Sequence, residues 1–125
     1  MARLIADAGL LIKADRNDRD AWALKRAAAE DDVEIVVPAP VLAQSWRGAR
    51  SVNLARYLVG LEVAAFTEEL ARRAGELLRV AGTSDVCDAA VVVTARDGDR
   101  VVTEDVNDVT HLIERQGLRV EVLRI

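Results

Sequence analysis

Arg3-Leu4-Ile5-Ala6-Asp7 is an apolar run of strand length that stops at an acid, and Val101-Val102-Thr103-Glu104-Asp105 does the same late in the chain. Outward from the first run, Ala8 to Ala14 fits a brief helix and Asp15 to Asp18 a polar turn. Asp20 to Asp31 fits a helix that offers Trp22, Leu24 and Ala28 to a core. Val33 to Val37 reads as a second strand closed by Pro38. Pro40 suits the first turn of a helix running through Trp46, which Gly48 ends. A helix from about Ser51 carries Leu54, Leu58 and Leu61, and Glu62 to Phe66 is a third strand. Thr67 opens the clearest helix, with Leu70, Ala74, Leu77 and Leu78 on one stripe and Gly82 at its end. Asp85 to Arg96 is apolar nearly all round from Ala89 to Val93. It reads as a helix buried against the sheet, with a strand as the competing reading because of its β-branched valines. A turn at Asp97-Gly98-Asp99, a strand over Arg100 to Thr103, a helix over Asp105 to Gln116 and a strand over Leu118 to Val122 complete the chain. Strands alternating with helices through short turns indicate an α/β fold, a mainly parallel sheet with helices on both faces, in one domain over residues 1–125.

Composition narrows the function. The single cysteine, Cys87, excludes an intramolecular disulfide and a Cys-rich zinc site, and the single histidine, His111, excludes His-pair acid–base schemes. Seventeen basic residues against 21 acidic ones leave a net charge of −4, which argues against holding nucleic acid by bulk positive potential. It leaves room for a protein that meets phosphate through a bound cation. No apolar run approaches the ~18–20 residues of a membrane span. The opening Arg3-Leu4-Ile5-Ala6-Asp7 meets an acid too early for a secretion signal, so a cytoplasmic protein without membrane contact is expected.

The acids carry the chemistry. In open α/β sheets the ligand site lies beyond the carboxyl ends of the strands. Asp7 ends the first strand there, Glu104 and Asp105 follow a later one, and Asp85 and Asp88 stand one turn apart at the start of the buried helix. Acids gathered from separate parts of the chain repel unless a cation sits among them, and Mg²⁺ or Mn²⁺ suits carboxylate ligands. Asp7, Asp85 and Asp105 can each equally serve as a helix N-cap. Asp88 is harder to dismiss, because Ala89, Ala90, Val91 and Val92 make poor surroundings for an idle charge. Thr103 can orient Asp105 or a water through its hydroxyl, and Arg47, Arg50 and Arg56 can form a phosphate-facing patch or simply a solvated helix surface. Glu104, Asp108 and His111 read as surface residues, Cys87 as a small core residue, and Trp22 and Trp46 as core or interface anchors.

Together these stretches resemble the PIN-domain ribonucleases of the VapC-like toxin type, across essentially the whole chain. The resemblance rests on Ile5-Ala6-Asp7, on Val36-Val37-Pro38 followed by Val41-Leu42-Ala43-Gln44-Ser45-Trp46-Arg47-Gly48, on Gly82 to Ala90, and on Val102-Thr103-Glu104-Asp105. It implies a three-layer α/β/α PIN-like fold and an acid-lined cleft holding Mg²⁺ or Mn²⁺. It also implies hydrolysis of RNA phosphodiesters, a cognate antitoxin protein, and a toxin that often forms a homodimer. Asp7, Asp88 and Asp105 match the family's first, third and fourth acids as catalytic and metal-binding residues. Gln44 departs from the family, which usually has Glu there. Its amide can orient a water or a phosphate oxygen but withholds a full negative charge from the metal, and Asp85 is the expected compensating ligand. The alternative is a PIN-fold module weakened in catalysis that binds an antitoxin or RNA. A two-component receiver domain is excluded, since residues 50–66 offer no strand-end Asp and the last lysine is Lys25.

Overall fold

The computed structural model describes residues 2–125. Leu4, Ile5 and Ala6 lie at the middle of the sheet and are buried on both faces, which is why the strand is apolar without alternation. This strand, β1 (Arg3–Ala6), leads into α1 (Ala8–Asp15), α2 (Arg19–Glu30) and β2 (Glu34–Pro38). The chain continues through α3 (Ala39–Ser45), a 3-10 turn (Gly48–Arg50), α4 (Val52–Leu58) and β3 (Glu62–Ala64). It then crosses back through α5 (Glu68–Ala81) and α6 (Val86–Thr94) to β4 (Arg100–Thr103), α7 (Val106–Gln116) and β5 (Glu121–Arg124).

The strand order is β3-β2-β1-β4-β5, and every pairing is parallel, where a mainly parallel sheet was expected. The crossovers group α1, α2 and α4 on one face and α5, α6 and α7 on the other, giving three layers. Helix α3 sits where it touches both α1 and α6. Because the chain winds outward from β1 in one direction and from β4 in the other, the crevice at their shared carboxyl ends is the switch point of the fold. Asp7 and Asp105 flank that crevice by position in the chain.

The apolar stretch after Asp85 is a helix. It packs against α3, α5, α7, β1 and β2 together, so burial on all sides overrides the strand propensity of its valines. The last strand lies at Glu121–Arg124 and not at Leu118 to Val122. Gly117 ends α7 in the left-handed region at φ 75°, and the Leu118 N–H still bonds the Ile113 carbonyl. Arg119 then docks on the turn before β4, its N–H on Asp97 Oδ1 at 2.9 Å and its carbonyl on the Gly98 N–H at 2.8 Å. Pairing starts only after those residues are spent. Similarly, α3 stops at Ser45, ahead of Gly48, and α4 stops at Leu58, short of Leu61. Lys25 Nζ donates to the Arg56 and Val59 carbonyls at that helix end. His111 is not a free surface residue, since its Nε2 lies 2.9 Å from the Ala81 carbonyl and ties α7 to the end of α5.

The amino end of the sheet is closed by a buried ion pair. Arg3 Nη2 lies 2.6 Å from Asp99 Oδ2, and the same oxygen accepts the Arg96 N–H at 2.8 Å.

Candidate metal centre

Asp7 closes β1 and starts α1, so one side chain is drawn to two tasks. Its Oδ1 accepts the Ala8 N–H at 2.7 Å as a helix cap, and its Oδ2 accepts the Thr103 hydroxyl at 2.5 Å. The Thr103 oxygen in turn accepts the Asp105 N–H at 3.0 Å. A fully buried hydroxyl at the end of β4 thus links the acid after β1 to the acid after β4. The sequence placed Thr103 beside Asp105, and the structure adds Asp7 as the acceptor of its hydroxyl hydrogen bond.

Asp105 holds the N-cap position of α7 but makes no capping hydrogen bond with its side chain, which leaves the carboxylate available. Asp88 stands in the first turn of α6 and is only 3% exposed. Carboxylate oxygens of Asp7, Asp88 and Asp105 all lie within 4.8 Å of one another. Two charges at about that separation repel by about 3 kcal/mol at an effective dielectric of ~20, so three charged neighbours are not stable without compensation. This crowding opposes ionisation. Burial, then the charges of Asp7, Asp85, Asp105 and Asp108, push Asp88 up to about 7. Asp7 is also raised, by burial first and by Asp105 and Asp85, against the lowering effect of its bonds from Thr103 and Ala8.

A divalent cation fits this donor set. Oxygens sharing one ion at ~2.0–2.6 Å lie no more than ~5 Å apart, and the three acids meet that condition with hard, anionic oxygens. Asp85, the expected fourth ligand, is placed otherwise. Its Oδ1 accepts the Asp88 N–H at 3.0 Å as the cap of α6, and it stays outside the convergent set. It fixes the helix that carries Asp88.

Gln44, on α3, is solvent-exposed and meets α6 through Cys87, whose Sγ lies 3.5 Å from Gln44 Oε1 and 3.5 Å from the Pro40 carbonyl. Cys87 is half-buried and packs against the edge of the core. Its thiol is raised by burial and then by Asp85, Asp7 and Asp88. Arg47 turns its guanidinium onto the Trp46 and Ala43 carbonyls, at 2.7 and 3.4 Å, so it caps the end of α3. Arg50 and Arg56 are exposed.

Two residues read as surface groups have work near the cluster. Asp108 adds to the charge felt by Asp88. Glu104 pairs with Lys13 at 3.6 Å and lies over Gly9, where an added Cβ would meet its Cγ at 2.8 Å. The signal for the second contact was a glycine in the first turn of a helix, which is unfavourable unless something sits against it. Among the described residues, no helix is long and apolar enough to cross a membrane.

No family model and no curated protein matches this chain. The fold does have a solved counterpart. It is similar to a chain in the crystal structure of VapBC2 from Rickettsia felis, bound to a DNA fragment from their promoter. The TM-score is 0.66 over 95% of this chain and 97% of that chain, at 16% identity. The three-layer α/β/α PIN-like fold is therefore shared, at low sequence identity.

Proposed function

We propose that this chain is a metal-dependent endoribonuclease and the toxin half of a toxin–antitoxin pair, acting in the cytoplasm as a single domain. The observation that carries the reading is the convergence of three carboxylates from three chain segments at the switch point of the sheet, within 4.8 Å. Asp7, Asp88 and Asp105 would hold Mg²⁺ or Mn²⁺. Such an ion supplies Lewis acidity, lowering the pKa of water and offsetting charge on phosphate oxygens. The chain's own part is positional: Thr103 keeps the Asp7 and Asp105 segments in register, and Asp85 keeps α6 aimed at the cleft. No histidine or lysine is required, in keeping with a sequence that has one His.

The antitoxin partner is supported by the likeness to a VapBC2 structure and by an apolar groove of about 440 Å³ lined by Ala39, Leu42, Ala43, Trp46 and Leu58. Trp46 is 40% exposed there, which a large aromatic seldom is without an occupant. A homodimer of this chain is part of the same proposal. Gln44 favours a second reading, a PIN-fold module weak in catalysis that binds RNA or an antitoxin.

Incubation of a mixed RNA pool with the protein separates the two. Cleavage with Mg²⁺ or Mn²⁺, lost in EDTA and in Asp7→Asn, supports the nuclease. Intact RNA in the presence of saturating Mn²⁺ overturns it in favour of the binding module.

A further inference from the structure

The three carboxylates, when charged, are themselves acceptors only. The Arg47 guanidinium, just after α3, is spent on the carbonyls ending that helix. An RNA phosphodiester brings two more acceptor oxygens, and a metal ion cannot face every one of them. A neutral donor at the rim would take what the ion leaves.

Gln44 is the residue placed for this. It lies on α3 one turn after Pro40, on the side that meets the first turn of α6, and its contact there is the residue just before Asp88. The Cys87 thiol has carbonyl acceptors on both sides, Pro40 O and Gln44 Oε1, each at 3.5 Å. With the thiol donating to Oε1, the amide oxygen is engaged on α6 and the NH₂ group is the free end of an exposed side chain. A glutamate in the same place would present only a negative charge to the substrate.

Resting on the nuclease reading above, we propose that Gln44 binds the RNA backbone by donating an amide N–H to a non-bridging phosphate oxygen, and that Cys87 is the positioning residue that sets the orientation of that amide. Gln44 is on this account a substrate contact and not a metal ligand. It trades a charge toward the cation for a hydrogen bond toward the phosphate.

The full-length protein with Gln44→Ala, Cys87→Ala and Cys87→Ser tests this through Mn²⁺ binding by calorimetry and binding of a labelled single-stranded RNA by anisotropy. Gln44→Ala should weaken RNA binding about 10-fold, as expected for loss of a hydrogen bond to a charged group. The Mn²⁺ Kd should stay within about twofold of wild type, the uncertainty of unlinked sites. Cys87→Ala should weaken RNA binding in the same direction by a smaller factor, and Cys87→Ser, whose hydroxyl can donate to the same oxygen, should restore it. Adding Cys87→Ala to Gln44→Ala should cost nothing more, because the orienting residue has no amide left to orient. A weakened Mn²⁺ Kd in Gln44→Ala would make position 44 a ligand and overturn the proposal, and unchanged RNA affinity would overturn it as well. If wild type binds RNA through Gln44 but never cleaves it, the nuclease reading fails alone. If it cleaves and Gln44→Ala has unaltered RNA affinity and KM, the Gln44 proposal fails alone. A wild-type protein that binds no RNA sinks both.

Discussion

Asp99 and Asp88 are hidden to the same degree, 4% and 3% exposed, at opposite ends of the same architecture, and their charges are treated in opposite ways. Burial alone would raise Asp99, yet hydrogen bonds from Arg3 and from the Arg96 N–H, with the Arg3 charge, hold it below the usual carboxylate range. Arg3 also ties off the Thr94 carbonyl, at 3.2 Å, so the amino end of the sheet is self-sufficient. At the carboxyl end burial, and then the charges of Asp7, Asp85, Asp105 and Asp108, raise Asp88 to about 7. The one is a finished structural pair and the other an incomplete site. A protein that wanted only stability would have filled both ends as it filled the first.

The largest effects should fall at the incomplete end and touch function alone. Asp88→Asn should reduce RNA cleavage by at least about 100-fold, beyond the ~10–100-fold typical of losing an outer partner of a metal ligand. Its thermal stability in EDTA should be unchanged or higher, since a repelling charge is removed. Carboxylates of Asp7 and Asp88 are expected to share the ion, so Asp7→Asn should match it in activity. Asp7 should cost some stability, because it also accepts bonds from Ala8 and Thr103. Destabilisation of the Asp88→Asn protein in EDTA would erase the contrast.

At the finished end the outcome is inverted. Arg3→Met should lower stability by about 3–5 kcal/mol, the usual consequence of leaving a buried charge without its partner, while metal affinity stays unchanged. Urea denaturation measures the first and Mn²⁺ calorimetry the second. A loss under about 1 kcal/mol, the range of an exposed pair, would mean that Asp99 does not need Arg3.

The two aspartates should also respond to pH with opposite signs. Asp88 is raised above its ordinary 3.8, so in metal-free protein its contribution is fully present below that value and is lost as pH rises through about 7. Asp99 is lowered, so its contribution is present above 3.8 and is lost as pH falls through its folded value. The difference in melting temperature between wild type and Asp88→Asn, followed in EDTA from acid to neutral pH, isolates the first. It should shift against wild type as pH rises toward 7. Excess Mn²⁺ should shrink or reverse that trend, because the ion binds the charged carboxylates. A flat difference curve would place Asp88 in a compensated environment.

These two ends were unequally legible in the sequence. Asp7 and Asp105 announce themselves because each ends or follows an apolar strand, and strand ends are a local pattern. Asp88 is conspicuous among alanines and valines for the same reason. The Arg3–Asp99 pair, 96 residues apart, and the Cys87–Gln44 contact, 43 apart, have no local signature, since only the sheet order and the packing of α3 on α6 create them. The final strand was misplaced for a related reason. Leu118 to Val122 has the right propensity, but Gly117 and the turn at Asp97–Gly98 claim the first part of it through contacts that propensity does not encode.

The smallest expected effect lies beside the incomplete end, at Gly9. A glycine inside a helix is less favourable than alanine by about 0.8–1.0 kcal/mol, so Gly9→Ala should stabilise α1 if nothing opposes it. Glu104 opposes it, because the new methyl would lie 2.8 Å from its Cγ and 3.0 Å from its Cδ. That obstacle is a flexible, half-exposed side chain, not backbone. Turning it away sacrifices an ion pair with Lys13 at 3.6 Å that is worth no more than about 1 kcal/mol at such exposure. The two terms nearly cancel, and Gly9→Ala should change stability by less than about 0.5 kcal/mol, as most substitutions do outside a tightly packed feature. Mn²⁺ affinity reads what stability cannot. Glu104 lies outside the convergent set, so displacing it should leave the Mn²⁺ Kd unchanged. A measurable loss of Mn²⁺ affinity in Gly9→Ala would make Glu104 part of the metal site, and the incomplete end would then extend from Asp88 across to α1.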